Sequence, residues 1–150
     1  MRHLQSTIRV GFTRKHYCRA LFLVSAAVNL VAGASCIFAF EQVSISLGVE
    51  SVPETPLLAM YADLFGLAVV LFGVAYFIAA VQPEANHSYW LILLGAVGKI
   101  SVFGIMSYYV VFEEVPWKHA GITFVLDALF ACLFVEYLVW HRRALANRQF

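Results

Sequence analysis

The chain carries little charge, and almost none of that charge lies where the sequence is most apolar. Charged residues make up 13% of the 150 residues, whereas hydrophobic residues make up 62%. Soluble domains are about one quarter charged and about half apolar, and a chain of this length cannot hide so large an apolar surface from water. The composition therefore excludes a water-soluble domain and predicts one integral membrane domain.

Sequence patterns for metal, nucleotide or thiol chemistry are also missing. Cys18, Cys36 and Cys132 are widely separated and form no CxxC pair. The five histidines lie at or beyond the edges of the apolar segments, and no phosphate-binding loop, nucleophile elbow or zinc motif is present. A net charge of +1 gives no support to nucleic-acid binding. The sequence thus predicts no cofactor, no metal, no catalytic residue and no nucleic-acid partner.

What the sequence does contain is four long apolar segments, at about residues 20–40, 57–81, 89–112 and 119–140. Each is near or above the roughly 20 residues that a helix needs to cross about 30 Å of hydrocarbon. Backbone groups have no water to bond to in that layer, so the segments must be helices. The sequence predicts an all-α, integral membrane four-helix bundle over residues 20–140, in contact with membrane lipids.

The basic residues predict the orientation of this bundle. Five of them lie in the N-terminal segment 1–19 and three in the tail 141–150, whereas the loop 41–56 has none. Basic flanks stay cytoplasmic, and an even number of crossings puts both termini on one side. We therefore expect a multi-pass protein of the bacterial inner membrane with both termini in the cytoplasm.

Two segments outside the apolar stretches have weaker patterns. In residues 1–19, Leu4, Ile8 and Phe12 recur every four residues, which favours a helix lying in the membrane interface. A disordered basic tail is the alternative. Residues 43–50 alternate apolar and polar side chains, which favours a short extended segment over the outer mouth of the bundle. A plain connecting loop is the alternative there.

Three charged residues, Asp63, Lys99 and Asp127, lie inside apolar segments. A charge at the bilayer centre costs about 2.5–3.5 kcal/mol, so such residues usually face the protein interior and have partners. At 1.5 Å per residue, Asp63, Asp127 and Lys99 lie about 9, 12 and 20 Å from the outer edge. The long Lys stem can bring its ammonium toward Asp127, because the third and fourth helices are antiparallel neighbours. We expect a Lys99–Asp127 ion pair, with Asp63 as its third member.

Two carboxylates and one ammonium would leave a surplus negative charge within the membrane. Either one Asp is then protonated, or a histidine, a cation or a basic ligand supplies the balance. The alternative is that the ion pair only locks two helices together and Asp63 reaches outer water. The predicted ligand or ion-pair site comprises Asp63, Lys99, Asp127 and Asn29, with Tyr61, His119 and Thr123 in secondary positions.

Small residues and aromatic residues form a further pattern across the last three apolar segments. Its members are Phe65, Gly66 and Gly73, then Gln82, Pro83 and Asn86, then Gly95 to Lys99, and finally Asp127, Phe130 and Phe134. Through them, over roughly residues 57–138, the chain resembles small bacterial four-helix membrane proteins of the DoxX-like kind. The resemblance implies a four-helix bundle. Because some such proteins are thought to be partner subunits of redox or other membrane complexes, it also implies an accessory-subunit role.

Three classes of function are compatible with these observations. The first is a non-enzymatic membrane protein that binds a partner subunit, a second copy of itself or a small lipophilic ligand through its central polar side chains. The second is a proton- or cation-linked transporter acting as a dimer, since four helices rarely enclose a translocation path. The third, a membrane enzyme with Asp63 or Asp127 as general acid, has less support because no nucleophile or metal motif accompanies it.

Overall fold

The structure is a computed structural model that describes residues 2–46, 55–112 and 117–146. The described residues form five helices and no strand: α1 (Arg2–Phe38), α2 (Phe40–Ser46), α3 (Pro56–Val81), α4 (Asn86–Phe112) and α5 (Trp117–Ala146). Four of them are long and apolar enough to cross a membrane, over Arg14–Phe38, Pro56–Val81, Asn86–Phe112 and Thr123–Ala144. The predicted all-α four-helix bundle is confirmed, and the chain is a multi-pass membrane protein.

The N-terminal segment is part of the first long helix. Residues 2–19 are helical, in agreement with the first of the two alternatives, and they continue into the first span without a break. The apolar span begins at Arg14, about six residues before the boundary expected from the sequence. Whether residues 2–13 lie in the membrane interface stays a prediction.

The extended segment expected after the first crossing is wrong where the structure describes it. Residues 40–46 are the helix α2, and residues 47–54 lie outside the described residues. The Ala39 amide donates to the Ser35 carbonyl and the Val43 amide donates to the Ala39 carbonyl, both at 2.9 Å. Helical hydrogen bonding therefore continues across the break between α1 and α2. An isolated strand would leave these groups without partners, which explains why the alternating pattern does not prevail.

Turn and cap residues determine where α3 begins and ends. Thr55 caps its first turn, accepting a hydrogen bond from the Leu58 amide at 3.2 Å, and Pro56 occupies a position where no amide hydrogen is needed. At the other end, a turn from Gln82 to Ala85 connects α3 to α4. The Ser88 hydroxyl stabilises this turn by donating to the Gln82 carbonyl at 2.7 Å. The short connection makes α3 and α4 antiparallel neighbours.

The four long helices form two close pairs, α1 with α3 and α4 with α5. Glycines allow the first pair to approach: a Cβ on Gly33 would lie 2.6 Å from the Gly66 carbonyl oxygen, and one on Gly73 would lie 2.8 Å from Leu30. Backbone contact of this kind is typical of membrane helices, which gain stability from close packing rather than from hydrophobic burial. Gly33, Gly66 and Gly73 therefore allow α1 to pack closely against α3.

The two pairs meet in a layer of aromatic rings. We define the aromatic layer as the rings of Phe22, Tyr76, Phe134 and Tyr137, each at most 1% exposed. Phe22 packs edge-to-face on Tyr137, with ring centres 4.8 Å apart, and Tyr76 packs on Phe134 at 5.0 Å. The layer lies nearer the end of the bundle that contains Arg14 and the α3–α4 turn. We call this end the basic end and the opposite end the α2 end.

Burial falls along α4 from the basic end to the α2 end. Gly95 and Ala96 are buried on its inward face. Seven residues farther along, and so on the same face, Val102 and Phe103 are only half-buried. A Cβ placed on nearby Gly104 would meet no atom within 4 Å. The inward face of α4 is therefore tightly packed at the basic end and less well covered toward the α2 end.

Candidate functional site

The ion pair expected between α4 and α5 is present. The Lys99 ammonium donates to Asp127 Oδ1, and the two side chains are 14% and 7% exposed. Lys99 follows Gly95 by one turn on the inward face of α4. Its Nζ also lies 5.8 Å from the centre of the Phe130 ring, within range of a cation–π interaction. Both charges are thus held by named partners inside the bundle.

Asn29 reaches the same level from α1. Phe22 of α1 packs against Phe134 of α5, with ring centres 6.2 Å apart. Asn29 lies seven residues beyond Phe22 toward the α2 end, and Asp127 lies seven residues beyond Phe134 in the same direction. Seven residues make two turns and about 10 Å, so both side chains return to the interior at one height. Each of the two residues is 5% exposed.

Tyr76, a residue that sequence reasoning missed, supplies a hydroxyl from α3. Tyr76 is 1% exposed. A Cβ on Gly95 would lie 2.6 Å from the hydroxyl oxygen of Tyr76. That oxygen therefore lies against α4, one turn from Lys99 toward the basic end. The sequence contains one indication of this burial. Tyr76 lies on the same helix face as Gly73 and Ala80, whose small side chains leave space for its large ring.

We define the polar centre as the side chains of Asn29, Lys99 and Asp127 together with the hydroxyl of Tyr76. Much of its hydrogen-bonding capacity is unused. Asn29 donates to the Ser25 carbonyl at 2.8 Å, and Lys99 donates to Asp127. Among the described residues, no further partner is shown for the amide oxygen of Asn29, for Asp127 or for the Tyr76 hydroxyl. In the described part of the structure, the fully buried side-chain atoms without any hydrogen-bond partner are Arg14 Nε and His141 Nδ1, both at the basic end.

Asp63 is not part of the polar centre, which corrects the expected cluster of three charges. It lies on the exposed face of α3, three residues beyond Gly66 toward the α2 end. The inward face of α3 at this height consists of Ala62 and Gly66, whose small side chains allow the approach of α1. The surplus negative charge expected in the centre is therefore absent, because Lys99 and Asp127 balance each other.

The secondary residues also lie apart from the polar centre where they are described. Tyr61 is 59% exposed on α3, and Thr123 is exposed on α5. The side chain of His119 lies outside the described part of the structure. Of the predicted site residues, the structure thus brings Lys99 and Asp127 into contact, and Asn29 lies buried at the same height on α1.

A second polar cluster joins α1 to α5 at the basic end. Glu136 accepts hydrogen bonds from the Arg14 guanidinium and from the Tyr17 hydroxyl, the latter at 3.0 Å. The Arg14 guanidinium also lies 4.9 Å from the Tyr17 ring and 5.8 Å from the Trp140 ring. Sequence reasoning did not predict this pair, because Arg14 and Glu136 are 122 residues apart in the chain.

The α3–α4 turn is tied to the same end of the bundle. The Tyr137 hydroxyl donates to the Pro83 carbonyl at 2.6 Å. Lys15 of α1 pairs with Glu84 at 3.7 Å between charged atoms. These contacts hold α1, α5 and the turn together, so the basic end is closed by side chains from three elements.

Metal chemistry has no support in the described ranges, where no three His, Cys, Asp or Glu side chains lie close enough to hold an ion. Comparisons with protein families, with curated proteins and with solved structures found no match. The DoxX-like resemblance therefore stays a prediction, and the function must be argued from the polar centre.

Proposed function

We propose that this membrane protein is a non-enzymatic binding protein whose polar centre holds the polar head of a small lipophilic ligand. The observation that carries the proposal is the Lys99–Asp127 ion pair inside the bundle, with the Tyr76 hydroxyl one turn from Lys99 and the buried Asn29 at the same height on α1. Ligand sites of this kind are mostly apolar spaces with a few converging polar groups. A ligand with an apolar tail would fit a centre that is surrounded by Leu, Ile, Val and Phe side chains.

The ligand reaches the polar centre from the α2 end. Toward the basic end, the rings of the aromatic layer are buried, and Tyr76 packs on Phe134 with ring centres 5.0 Å apart. Toward the α2 end, Phe103 and Met106 on the inward face of α4 are only half-buried. Access from one end favours a binding protein over a transporter, because a transporter would need the aromatic layer to open as well.

A membrane partner along α4 is a second candidate function, favoured by the poor coverage of that helix. In the most apolar 18-residue stretch of α4, 17% is buried inside the protein. The corresponding share in the other three spans is 28–33%. Gly104 has open space above its Cα, and Ile105 and Tyr108 beside it are exposed. Small residues let a partner helix approach closely. This surface suits either a second copy of the chain or an accessory role in a larger membrane complex, as the DoxX-like resemblance implies.

We place the protein in the bacterial inner membrane with the basic end in the cytoplasm. The support is the concentration of Lys and Arg at both termini, including Arg142 and Arg143 at the end of the last span. A single cysteine replacing Ile45 in α2 should react with an impermeant maleimide in intact cells. Reaction only after permeabilisation would contradict this orientation.

The ligand proposal is tested by what co-purifies with the protein. Wild type and the Lys99→Leu/Asp127→Leu double variant are extracted in mild detergent, and their bound small molecules are identified by mass spectrometry. We expect a lipophilic molecule bound to wild type and to a Thr123→Val control but lost from the double variant. Identical bound molecules in all three proteins, each with an intact melting transition, would overturn the proposal.

A further inference from the structure

We infer that the polar centre selects a ligand whose head is electrically neutral and carries both hydrogen-bond donors and acceptors, such as a hydroxyl beside a carbonyl. The inference rests on the proposed function and names the chemical class of its ligand. It follows from two properties of the polar centre, its charge balance and the kind of hydrogen-bonding groups that remain unused.

The charge balance excludes a charged head. Lys99 and Asp127 cancel, and Asp63, the one other acidic residue in the described part of the spans besides Glu136, faces outward on α3. Glu136 is already bound to Arg14 at the basic end. A cationic or anionic head would therefore bring an uncompensated charge into a region of apolar side chains, or would have to break the ion pair to find a partner.

The hydrogen-bonding groups of the polar centre that have no partner require a ligand head with both donors and acceptors. Lys99 has donors that are not used by Asp127, so it can bind a carbonyl or ether oxygen. The amide oxygen of Asn29 and the carboxylate of Asp127 accept only, so they need a hydroxyl or amide hydrogen from the ligand. The Tyr76 hydroxyl can do either. A neutral head with a hydroxyl and a carbonyl can bond to both kinds of group, whereas a hydrocarbon can bond to neither.

Tyr76 is the residue on which selectivity can be measured without loss of the fold. Its ring belongs to the aromatic layer, and its hydroxyl faces Gly95 without a hydrogen bond to any described residue. Tyr76→Phe removes only the hydroxyl. Tyr137→Phe is the matched control, because its hydroxyl donates to the Pro83 carbonyl at the closed basic end. Both variants remove one buried hydroxyl from the same layer.

The experiment uses the full chain in phosphatidylcholine nanodiscs with three probes that have the same photoactivatable alkyl chain. Their heads are a glycerol ester, which is neutral, a sulfate, which is anionic, and a trimethylammonium, which is cationic. We expect the glycerol ester to crosslink beside Lys99 at least about tenfold more efficiently than the charged probes, given the cost of a buried charge. Tyr76→Phe should lower that crosslinking about fivefold, the loss of one hydrogen bond, and Tyr137→Phe should leave it unchanged.

Failure of the neutral-head inference and failure of the proposed binding function give different crosslinking results. Stronger crosslinking by a charged probe that is lost in the Lys99→Leu/Asp127→Leu variant would overturn the neutral-head inference and leave the binding function standing. Equal crosslinking of all three probes in wild type and in that double variant would overturn both. An equal loss of glycerol-ester crosslinking in Tyr76→Phe and Tyr137→Phe would show that the Tyr76 hydroxyl acts only through packing, and it would remove Tyr76 from the site.

Discussion

The two halves of the bundle are built differently although the same helices pass through both. At the basic end, aromatic rings fill the interior, and Tyr137 and Glu136 are fixed by hydrogen bonds to other elements. Toward the α2 end, the corresponding inward positions of α4 are half-buried, and Gly104 has open space beside it. The Lys99–Asp127 pair lies at the boundary between the two. The difference lies in α4, whose inward face is packed at the basic end and half-buried toward the α2 end, where α1 and α3 stay in close contact at Gly33 and Gly66.

The largest expected effect comes from removing one partner of the Lys99–Asp127 ion pair. Lys99→Leu leaves the Asp127 carboxylate buried without its partner, which should lower the free energy of unfolding by about 3–5 kcal/mol. Lys99→Leu/Asp127→Leu removes both charges and should be closer to wild type. The measurement is unfolding in mixed detergent micelles. A double variant no more stable than the weaker single variant would mean that the two residues do not act as a pair.

The next comparison removes one aromatic ring from each half. Phe134 has no exposed surface and contacts three other aromatic rings, so Phe134→Ala should cost about 3–5 kcal/mol through the cavity it leaves. Phe103 is half-buried, and its one ring contact is with Phe124 at 4.2 Å among the described residues. Phe103→Ala should cost less than half as much. Equal losses would show that the two halves are equally packed.

A smaller effect is expected from adding atoms at two glycines. Gly33→Val puts a side chain against the Gly66 carbonyl, which cannot move aside without separating α1 from α3. The expected cost is about 1–3 kcal/mol. Gly104→Val adds the same atoms where nothing lies within 4 Å, so thermal melts should show no loss of stability. If Gly33→Val melts at the wild-type temperature, the close approach of α1 and α3 would be wrong.

The smallest effect is expected at Asp63. Since this carboxylate lies on the exposed face of α3 and outside the polar centre, Asp63→Asn should change neither the melting temperature nor the crosslinking of the glycerol-ester probe. Loss of crosslinking in this variant, with an unchanged melting temperature, would return Asp63 to the binding site. Tyr61→Phe, at another exposed position of α3, is the control.

The sequence predicted the features that depend on composition and helix geometry. The four spans follow from hydropathy and length, and the Lys99–Asp127 pair follows from depth along two antiparallel neighbours. Asp63 was misplaced because depth says nothing about which face of a helix points inward. That choice is made by Ala62 and Gly66, whose small size draws α1 to the opposite side.

Contacts between distant parts of the chain were beyond the reach of sequence reasoning. Glu136 finds Arg14, and Tyr76 reaches Gly95, only because the two helix pairs pack in one particular arrangement. The α2 helix was missed for a different reason. Its alternating side chains resemble a strand, but the continuing hydrogen bonds from Ser35 through Ala39 satisfy the backbone locally.

The central claim, that the inward face of α4 is accessible toward the α2 end and buried at the basic end, is tested most directly by thiol reactivity. A Phe103→Cys variant, with Cys36 and Cys132 replaced by Ala, keeps native Cys18 as an internal reference, because Cys18 is fully buried in the basic half. The protein in nanodiscs is treated with a small water-soluble methanethiosulfonate, and the modified peptides are quantified by mass spectrometry. The account predicts modification at position 103 and none at Cys18. Modification of Cys18 at the same rate, or an inert cysteine at position 103, would contradict it.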